Sequence, residues 1–394
     1  MHLVPLFSFP NFNIHSTPLL VLVSQGLIFV ALLLIKYFKK KNPSDLFLAL
    51  ILLLVCYTQT CFTVGFMGWY DTYRNTKINY WLIPIGLALA PMIYFYIKTI
   101  TTSSFKFRLK DLKHFALAIL LTLYRLSIYI YDAFQPGFNE TQNGILKIDL
   151  DEPIVMPLLS IVENLYMVLY LAFTFQLFYN YRQKIQQYFS NTYKLELNWI
   201  LSFLVLFTFL FLYGMSQTII SVLFVELNYV DRWWLNLLMA IVTLYVGIRG
   251  YFTDTTKLNK LSFSFTPNPI SIPQHETSKE VSKEEITIVK KYMTTEKPYL
   301  NPDLNLSDLA DALQMTRAQL SQVINAGFKM NFNDFVNSFR VNTFKEKLNK
   351  GEHKQLSLLG IAYDCGFNSK ATFNRVFKKL TNTSPTEFLN SLSK

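Results

Sequence analysis

Two short stretches near the C-terminal end of the sequence carry side chains of the kinds that read and hold nucleic acid. Arginine can form a bidentate contact with guanine, asparagine or glutamine with adenine, and an alanine methyl can contact thymine. Lysine neutralises phosphate. The residues that helical spacing leaves facing outward are Arg317, Ala318, Ser321, Gln322, Lys370, Ala371, Asn374, Arg375, Lys378 and Lys379. They predict a surface for double-stranded DNA, and a solvated basic face is the alternative.

Each stretch is the second helix of a predicted helix-turn-helix unit. The predicted N-caps are Ser307 and Thr316 in the first unit and Ser357 and Ser369 in the second. Gly366 suits the positive φ of the second turn. Apolar residues recur at helical spacing in both units and must pack together. Between the units, "NDFVNSFRVNTFKEKL" has the period of one long helix, which would hold the two units rigidly.

The stretch "IAYDCGFNSKATFNRVFKKLTNTSPTEF" resembles the signature of the AraC/XylS family of transcription regulators, as does "LSDLADALQMTRAQLSQVIN" upstream. The resemblance covers about residues 285–391. It implies a DNA-binding domain over 283–394, with helix-turn-helix units at about 306–325 and 357–380. In such a domain the second helices enter successive major grooves, about 34 Å apart. Gln314 and Asn382 stand where the family often has glycine, and Asn tolerates the left-handed conformation.

The first two thirds of the sequence are dominated by apolar runs. The 51% hydrophobic content exceeds what a soluble domain of 394 residues needs for its core. Seven runs are long enough, at about 17 to 25 residues, to cross about 30 Å of hydrocarbon. They lie at about 17–36, 45–66, 81–99, 115–131, 154–179, 198–225 and 233–251. The sequence thus predicts an all-α protein, with a seven-helix transmembrane bundle over 1–252 and an all-α cytoplasmic domain.

The distribution of basic residues predicts the orientation, because loops rich in Lys and Arg stay on the cytoplasmic side. Alternate loops contain Lys36, Lys39, Lys40, Lys41, Lys98, Lys106, Arg108, Lys110, Lys113, Arg182, Lys184 and Lys194. The other loops contain only Arg74, Lys77, Lys147 and Arg232. We therefore expect a multi-pass protein of a bacterial inner (cytoplasmic) membrane, with its N-terminus outside and its C-terminal domain in the cytoplasm.

A predicted linker at residues 253–282 joins the two parts. It has three prolines, many serines and threonines, and no sustained helical period. A chain of this composition transmits little torque. We therefore expect the sensor to act by changing its own oligomeric state, which makes a homodimer an expected assembly. Proteolytic release of the C-terminal domain is the alternative.

Two charges lie inside apolar runs, Arg125 in "LTLYRLSIY" and Glu163 in "SIVENLYMV". An isolated charge there costs at least about 2.5–3.5 kcal/mol, so we expect the two to pair. A structural ion pair and a ligand or signal site are both open interpretations. Gln59 and Gln217 are assigned to the same polar interior. The predicted signal site consists of Arg125, Glu163 and Asn164, and the ligand is unknown.

Catalysis is not expected, because the sequence has no Gly-rich phosphate loop and no nucleophile motif. Cys56, Cys61 and Cys365 match no metal-ligand spacing and no disulfide framework, so we assign them to packing. No cofactor is predicted.

The function expected from the sequence is that of a membrane-bound one-component transcription regulator. Its transmembrane region would sense an external or membrane signal, and its cytoplasmic domain would bind specific DNA. A transporter or channel-like protein with a regulatory C-terminal interaction domain is the alternative class.

Overall fold

A computed structural model of the chain describes residues 9–69, 80, 82–102, 105–136, 138, 144–192, 195–253 and 281–392. All regular elements in these ranges are helices, which confirms the all-α class. The chain divides into two compact units. Unit 1 comprises residues 1–178 and 198–266, and unit 2 comprises residues 179–197 and 267–394. Most of the predicted linker lies outside the described residues, as do Arg74, Lys77 and Lys194.

The helices of unit 1 coincide with the predicted apolar runs. They are α1 (Ser16–Lys40), α2 (Pro43–Phe66), α3 (Ile85–Thr101), α4 (Ala116–Ala133), α5 (Met156–Tyr188), α6 (Asn198–Leu223) and α7 (Trp233–Phe252). Residues of α5 from Tyr179 onward belong to unit 2. Six helical segments are long and apolar enough to cross a membrane, whereas α3 has only 17 residues. The predicted number of seven spans is therefore not confirmed.

Small residues and one ion pair hold α1, α2 and α7 together. A Cβ atom at Gly26 of α1 would lie 2.7 Å from Sγ of Cys56 in α2, so only glycine allows this approach. The ammonium of Lys36 lies 3.1 Å from Oδ1 of Asp45 and donates to the carbonyl of Tyr251 at 2.9 Å. Because both charged side chains are largely buried, this contact fixes the ends of three helices at one place.

Helices α4, α5 and α6 expose many large apolar side chains. Examples are Leu120 on α4, Leu165 on α5 and Phe209 on α6, each more than half exposed. Apolar surface of this extent is unusual for a protein surrounded by water. It is what a helix that faces lipid requires.

Unit 2 contains the two helix-turn-helix units. Its helices are α8 (Lys283–Thr295), α9 (Leu306–Ala312), α10 (Arg317–Gln322), α11 (Phe332–Asn349), α12 (Leu358–Asp364), α13 (Lys370–Thr381) and α14 (Pro385–Leu392). α9 and α10 form the first helix-turn-helix, and α12 and α13 form the second helix-turn-helix. The predicted long helix is α11. It contributes Phe335 and Val336 to the apolar core of the first helix-turn-helix and Val341 and Phe344 to that of the second. The long helix therefore joins the two helix-turn-helix motifs through buried contacts.

Local hydrogen bonds explain where these short helices begin. The predicted N-caps Thr316, Ser357 and Ser369 are confirmed. The prediction for Ser307 is wrong, because Asn305 caps α9 and its side chain accepts from the N–H groups of Ser307 and Asp308. The helix therefore begins at Leu306, two residues earlier than predicted, and the Leu306 side chain is buried in the core.

The turns use left-handed backbone at three positions that the sequence had marked. Gly366 has φ 91°, Gln314 has φ 56° and Asn382 has φ 61°. A Cβ atom at Gly366 would collide with the carbonyl oxygen of Tyr299. Glycine is thus required in the second turn by both conformation and space, whereas the first turn accepts the strain of a glutamine.

Candidate DNA-binding surface

The second helix of the first unit, α10, presents a polar face. Thr316 and Gln319 form a reciprocal capping pair, since the side chain of each accepts from the backbone N–H of the other. Leu320 turns into the core and is fully buried. On the opposite face, Arg317, Ala318 and Gln322 are exposed and Ser321 is half-buried. All four predicted residues of this helix therefore reach the surface.

The second helix of the second unit, α13, is more strongly amphipathic. The hydroxyl of Ser369 accepts from the N–H of Thr372, so the helix begins at Lys370. Phe373, Val376 and Phe377 pack into the core. The predicted residues on the other face are all exposed, namely Lys370, Ala371, Asn374, Arg375, Lys378 and Lys379. We refer to α10 and α13 below as the reading helices.

Two of the predicted DNA-binding residues already have carboxylate partners. The ammonium of Lys379 donates to both carboxylate oxygens of Asp334, at 2.6 and 2.8 Å. Nη2 of Arg375 donates to Oε1 of Glu196 at 2.8 Å. Carboxylates and phosphates use the same donors of arginine and lysine. These two contacts therefore occupy donors that the predicted DNA contacts would also use.

Glu196 is held in place by residues of its own segment. Its Oε1 accepts from the hydroxyl of Thr192 at 2.7 Å, and its Oε2 accepts from Nη2 of Arg182 at 3.3 Å. Its side chain is 4% exposed, against 50% for Arg375. Burial alone raises the pKa of the Glu196 carboxyl, but the Thr192 hydroxyl and the guanidinium groups of Arg375 and Arg182 outweigh it and lower the pKa. Glu196 is consequently an anion at neutral pH.

Arg340 on α11 supports unit 2 from inside. It is 1% exposed. Its Nε donates to the carbonyl of Tyr299 at 2.7 Å, and its Nη2 donates to the carbonyl of Asn301 at 2.8 Å and to Oγ of Ser190 at 3.1 Å. Burial lowers the pKa of Arg340 to about 10, so it stays protonated at neutral pH. A buried cation needs such acceptors, and these carbonyls and the hydroxyl supply them.

Sequence reasoning missed both Arg340 and Glu196. For Arg340 a signal existed, because it stands four residues from both Val336 and Phe344 and so lies on the buried stripe of α11. For Glu196 there was none, since its partner Arg375 is far away in sequence. Only the fold brings residues 179–197 and the C-terminal helices into one compact unit.

The geometry of two capped helices with exposed polar faces agrees with the comparison to known families. Residues 309–391 match the family model of a helix-turn-helix domain. The match supports the AraC-type assignment of the C-terminal region and points to a DNA-binding regulator. No curated protein and no solved structure shows significant similarity to the chain.

The matched helix-turn-helix domain begins inside α9 and ends inside α14, so it contains both reading helices whole. Its core includes α11, which carries Arg340. Residues 179–197 lie outside the match, although they belong to the same compact unit.

A separate polar pocket of about 370 Å³ lies among the helices of unit 1. Glu163 and Asn164 of the predicted signal site line it, together with Gln59 and Gln217. The Oε1 atoms of Gln59 and Gln217 are buried and have no hydrogen-bond partner in the part of the chain that the structure describes. Most other lining residues are apolar, among them Phe62, Leu89, Met167, Phe207 and Leu210.

Arg125 lies apart from this pocket. It is 5% exposed, and its Nη2 donates to Sδ of Met156 at 3.1 Å. No ion pair joins Arg125 to Glu163 in the described ranges, so the expected salt bridge does not form. Glu163 is seven residues beyond Met156, about 10 Å further along α5. The carboxyl group of Glu163 instead packs against Gly86 of α3, where a Cβ atom would lie 3.3 Å from it.

The cysteines are free and buried, as the packing assignment predicts. Among the described residues, no group of three or more His, Cys, Asp or Glu side chains is arranged to hold a metal ion.

Proposed function

We propose that this chain is a membrane-bound one-component transcription regulator, in which the apolar helices of unit 1 sense a signal and the AraC-type domain binds specific DNA. The observation that carries the proposal is the pair of reading helices inside the matched region, each capped and packed on one side and exposed on the other. A continuous buried helix, α11, fixes their mutual arrangement. Binding to two successive grooves requires two such helices to be held in a fixed arrangement.

The chemistry of the exposed residues supports sequence-specific binding beyond general attraction to DNA. Arg317 and Arg375 can each form bidentate contacts with guanine, and Gln322 and Asn374 can do so with adenine. Lys370, Lys378 and Lys379 are suited to phosphate. Each reading helix thus combines residues that select bases, and α13 adds residues that position the backbone of the duplex.

The membrane half of the proposal is supported by six long apolar helices with exposed apolar side chains. The polar pocket is the proposed signal site. The Oε1 atoms of Gln59 and Gln217 and the carboxylate of Glu163 provide three acceptors within mainly apolar walls. Because the cationic residue Arg232 also lines the pocket, a small and mainly apolar ligand that donates hydrogen bonds without carrying a positive charge fits this chemistry. Arg125 is proposed to act on the site through its charge alone.

The test is a mobility-shift assay with the full chain in lipid nanodiscs. Genomic DNA fragments are offered together with an excess of random competitor DNA. The proposal predicts that a small subset of fragments stays bound, and that a variant with Arg317→Ala, Asn374→Ala and Arg375→Ala binds none of them selectively. Binding of all fragments alike, or of none, would contradict it and would favour a transporter or channel with a C-terminal interaction domain.

A further inference from the structure

Residues 179–197, which we call the loop segment, belong to the same compact unit as the helix-turn-helix domain. In sequence they comprise the end of α5 and its connection to α6, and they lie far from that domain. The segment binds the domain through its backbone. The N–H and the hydroxyl of Ser190 both donate to the carbonyl of Leu304, at 3.2 and 2.6 Å. Nδ2 of Asn333 donates to the carbonyls of Phe189 and Ser190, at 3.0 and 2.8 Å.

These contacts are buried and therefore specific. Ser190 is fully buried, and the guanidinium of Arg340 donates to its hydroxyl at 3.1 Å. Asn337, also buried, donates to the carbonyl of Ser190 at 3.3 Å. Removing the hydrogen-bond partner of a buried polar group costs free energy, because neither water nor another protein group can then bond to it. Phe189 and Ser190 thus attach the loop segment firmly to the domain.

Further along, the loop segment reaches the second reading helix. Glu196 lies 2.8 Å from Nη2 of Arg375, and Thr192 and Arg182 of the same segment orient its carboxylate. The carboxylate is preorganised, since these partners come from its own segment. Arg375 is the one arginine of α13 and hence the residue of this helix suited to read guanine, and its Nη2 group contacts Glu196.

The loop segment also borders the first reading helix. Tyr188 lines a surface cleft of about 480 Å³ together with Arg317, Ala318, Ser321 and Gln322. These are the four predicted DNA-binding residues of α10. The loop segment is thus next to the reading faces of both helices.

We infer that the loop segment is an autoinhibitory element, whose Glu196 takes the place of DNA on Arg375. The inference rests on the proposed DNA binding. A carboxylate at this position engages Nη2 of Arg375 and repels the phosphates of an approaching duplex. Opening the Glu196–Arg375 contact frees Arg375, while Phe189 and Ser190 keep the segment attached.

This arrangement gives the signal a short route to DNA. The loop segment begins with the last residues of α5, the helix that carries Glu163, and it leads directly into α6, which carries Gln217. On this inference, a ligand that displaces either helix also displaces the backbone that positions Glu196 against Arg375. The route does not pass through residues 253–282, so low stiffness of the predicted linker does not limit it.

The test compares DNA affinities of the full chain in nanodiscs, on a DNA site selected with the unaltered protein. Glu196→Gln removes the charge but keeps the shape of the side chain. We expect DNA binding about 5–10-fold tighter than that of the unaltered chain. This is the combined effect expected from losing one partly exposed ion pair and from removing the repulsion between Glu196 and the phosphates. Glu296→Gln is the matched control, because it removes the same charge from an exposed residue that forms no ion pair among the described residues. The control should change affinity less than twofold.

A second variant keeps the test decisive if Glu196→Gln does not fold. Thr192→Val leaves the charge of Glu196 in place but removes the hydroxyl that orients it, and we expect binding about 2–3-fold tighter. Hydrogen exchange of the loop segment gives an independent measurement. Added DNA should speed exchange at residues 195–197 and leave the amide of Ser190 protected.

The outcomes separate this inference from the proposed function. Selective DNA binding with equal affinity for the unaltered chain, Glu196→Gln and Thr192→Val would overturn autoinhibition and leave DNA binding intact. Slower exchange at residues 195–197 on adding DNA would also overturn it, because the segment would then be part of the DNA complex. Absence of selective binding in every variant would overturn both.

Discussion

The guanidinium of Arg340 donates a hydrogen bond to Oγ of Ser190 at 3.1 Å, between residues 150 positions apart in sequence. One partner lies in the matched helix-turn-helix domain and the other in the connection between α5 and α6. The interior of the DNA-binding unit is thus completed by a segment that no sequence comparison assigns to it. The same guanidinium therefore contributes both to the stability of this unit and to the attachment of the loop segment.

The first prediction concerns Arg340 itself. Arg340→Met should lower the free energy of unfolding of unit 2 by about 3 kcal/mol, because the buried carbonyls of Tyr299 and Asn301 lose their donors. Pulse proteolysis of the full chain in urea measures the change through cleavage within unit 2. Arg317→Met is the matched control, since this exposed arginine should change stability by no more than about 0.5 kcal/mol. Equal effects of the two variants would contradict the role assigned to the Arg340 network.

A second prediction distinguishes base reading from phosphate contact on α13. Arg375→Ala should weaken binding to the selected site by about 1–3 kcal/mol and relax the preference at one base position. Lys378→Ala should weaken binding to all sequences alike and reduce the salt slope by about one. Titrations on selected and random DNA at two salt concentrations measure both. If Arg375→Ala behaves as Lys378→Ala does, Arg375 contacts phosphate only.

A third prediction follows from the lowered pKa of Glu196, whose ordinary value is 4.5. A carboxyl with a lower pKa in the folded than in the unfolded state stabilises the fold fully above the unfolded value. This stabilisation disappears as the pH falls through the lowered value. The stability difference between the unaltered chain and Glu196→Gln should therefore be constant above pH 4.5 and shrink below it. A difference that grows on acidification would contradict the ion pairs of Glu196.

The fourth prediction tests the pocket in unit 1. Gln217→Leu removes one of the buried acceptors and should abolish the response of the regulated promoter to its signal, while insertion into the membrane stays normal. Ser216→Ala, at an exposed neighbour on the same helix, should leave the response unchanged. Reporter activity and membrane fractionation measure the two properties. A normal response of the Gln217→Leu protein would remove this pocket from the account.

Much of the fold could be predicted from the sequence because it depends on local patterns. Apolar length placed the helices of unit 1, and capping residues such as Thr316 and Ser369 placed the reading helices. The outward positions of α10 and α13 follow from helical period alone. The cap at Asn305 was missed because asparagine and serine are both good N-caps, and the sequence alone does not show which of them accepts the first N–H groups of α9.

The contacts of the loop segment could not be predicted in this way. Glu196 and Arg375 are separated by 179 residues, and no periodicity relates them. Arg125 and Glu163 show the opposite failure. Two charges in apolar surroundings suggested a pair, but depth along a helix does not determine the direction of a side chain, and Arg125 points to Met156.

The proposed function requires the chain to read specific DNA with two helices held at a fixed spacing. Selection of binding sites from random DNA by the full chain in nanodiscs, followed by sequencing, measures this property. We predict one enriched motif with two conserved parts about 10 base pairs apart, centre to centre. We also predict that Arg375→Ala loses base preference in only one of the two parts. Recovery of unenriched DNA, or of a motif that Arg375→Ala and Arg317→Ala leave unchanged, would contradict the proposed function.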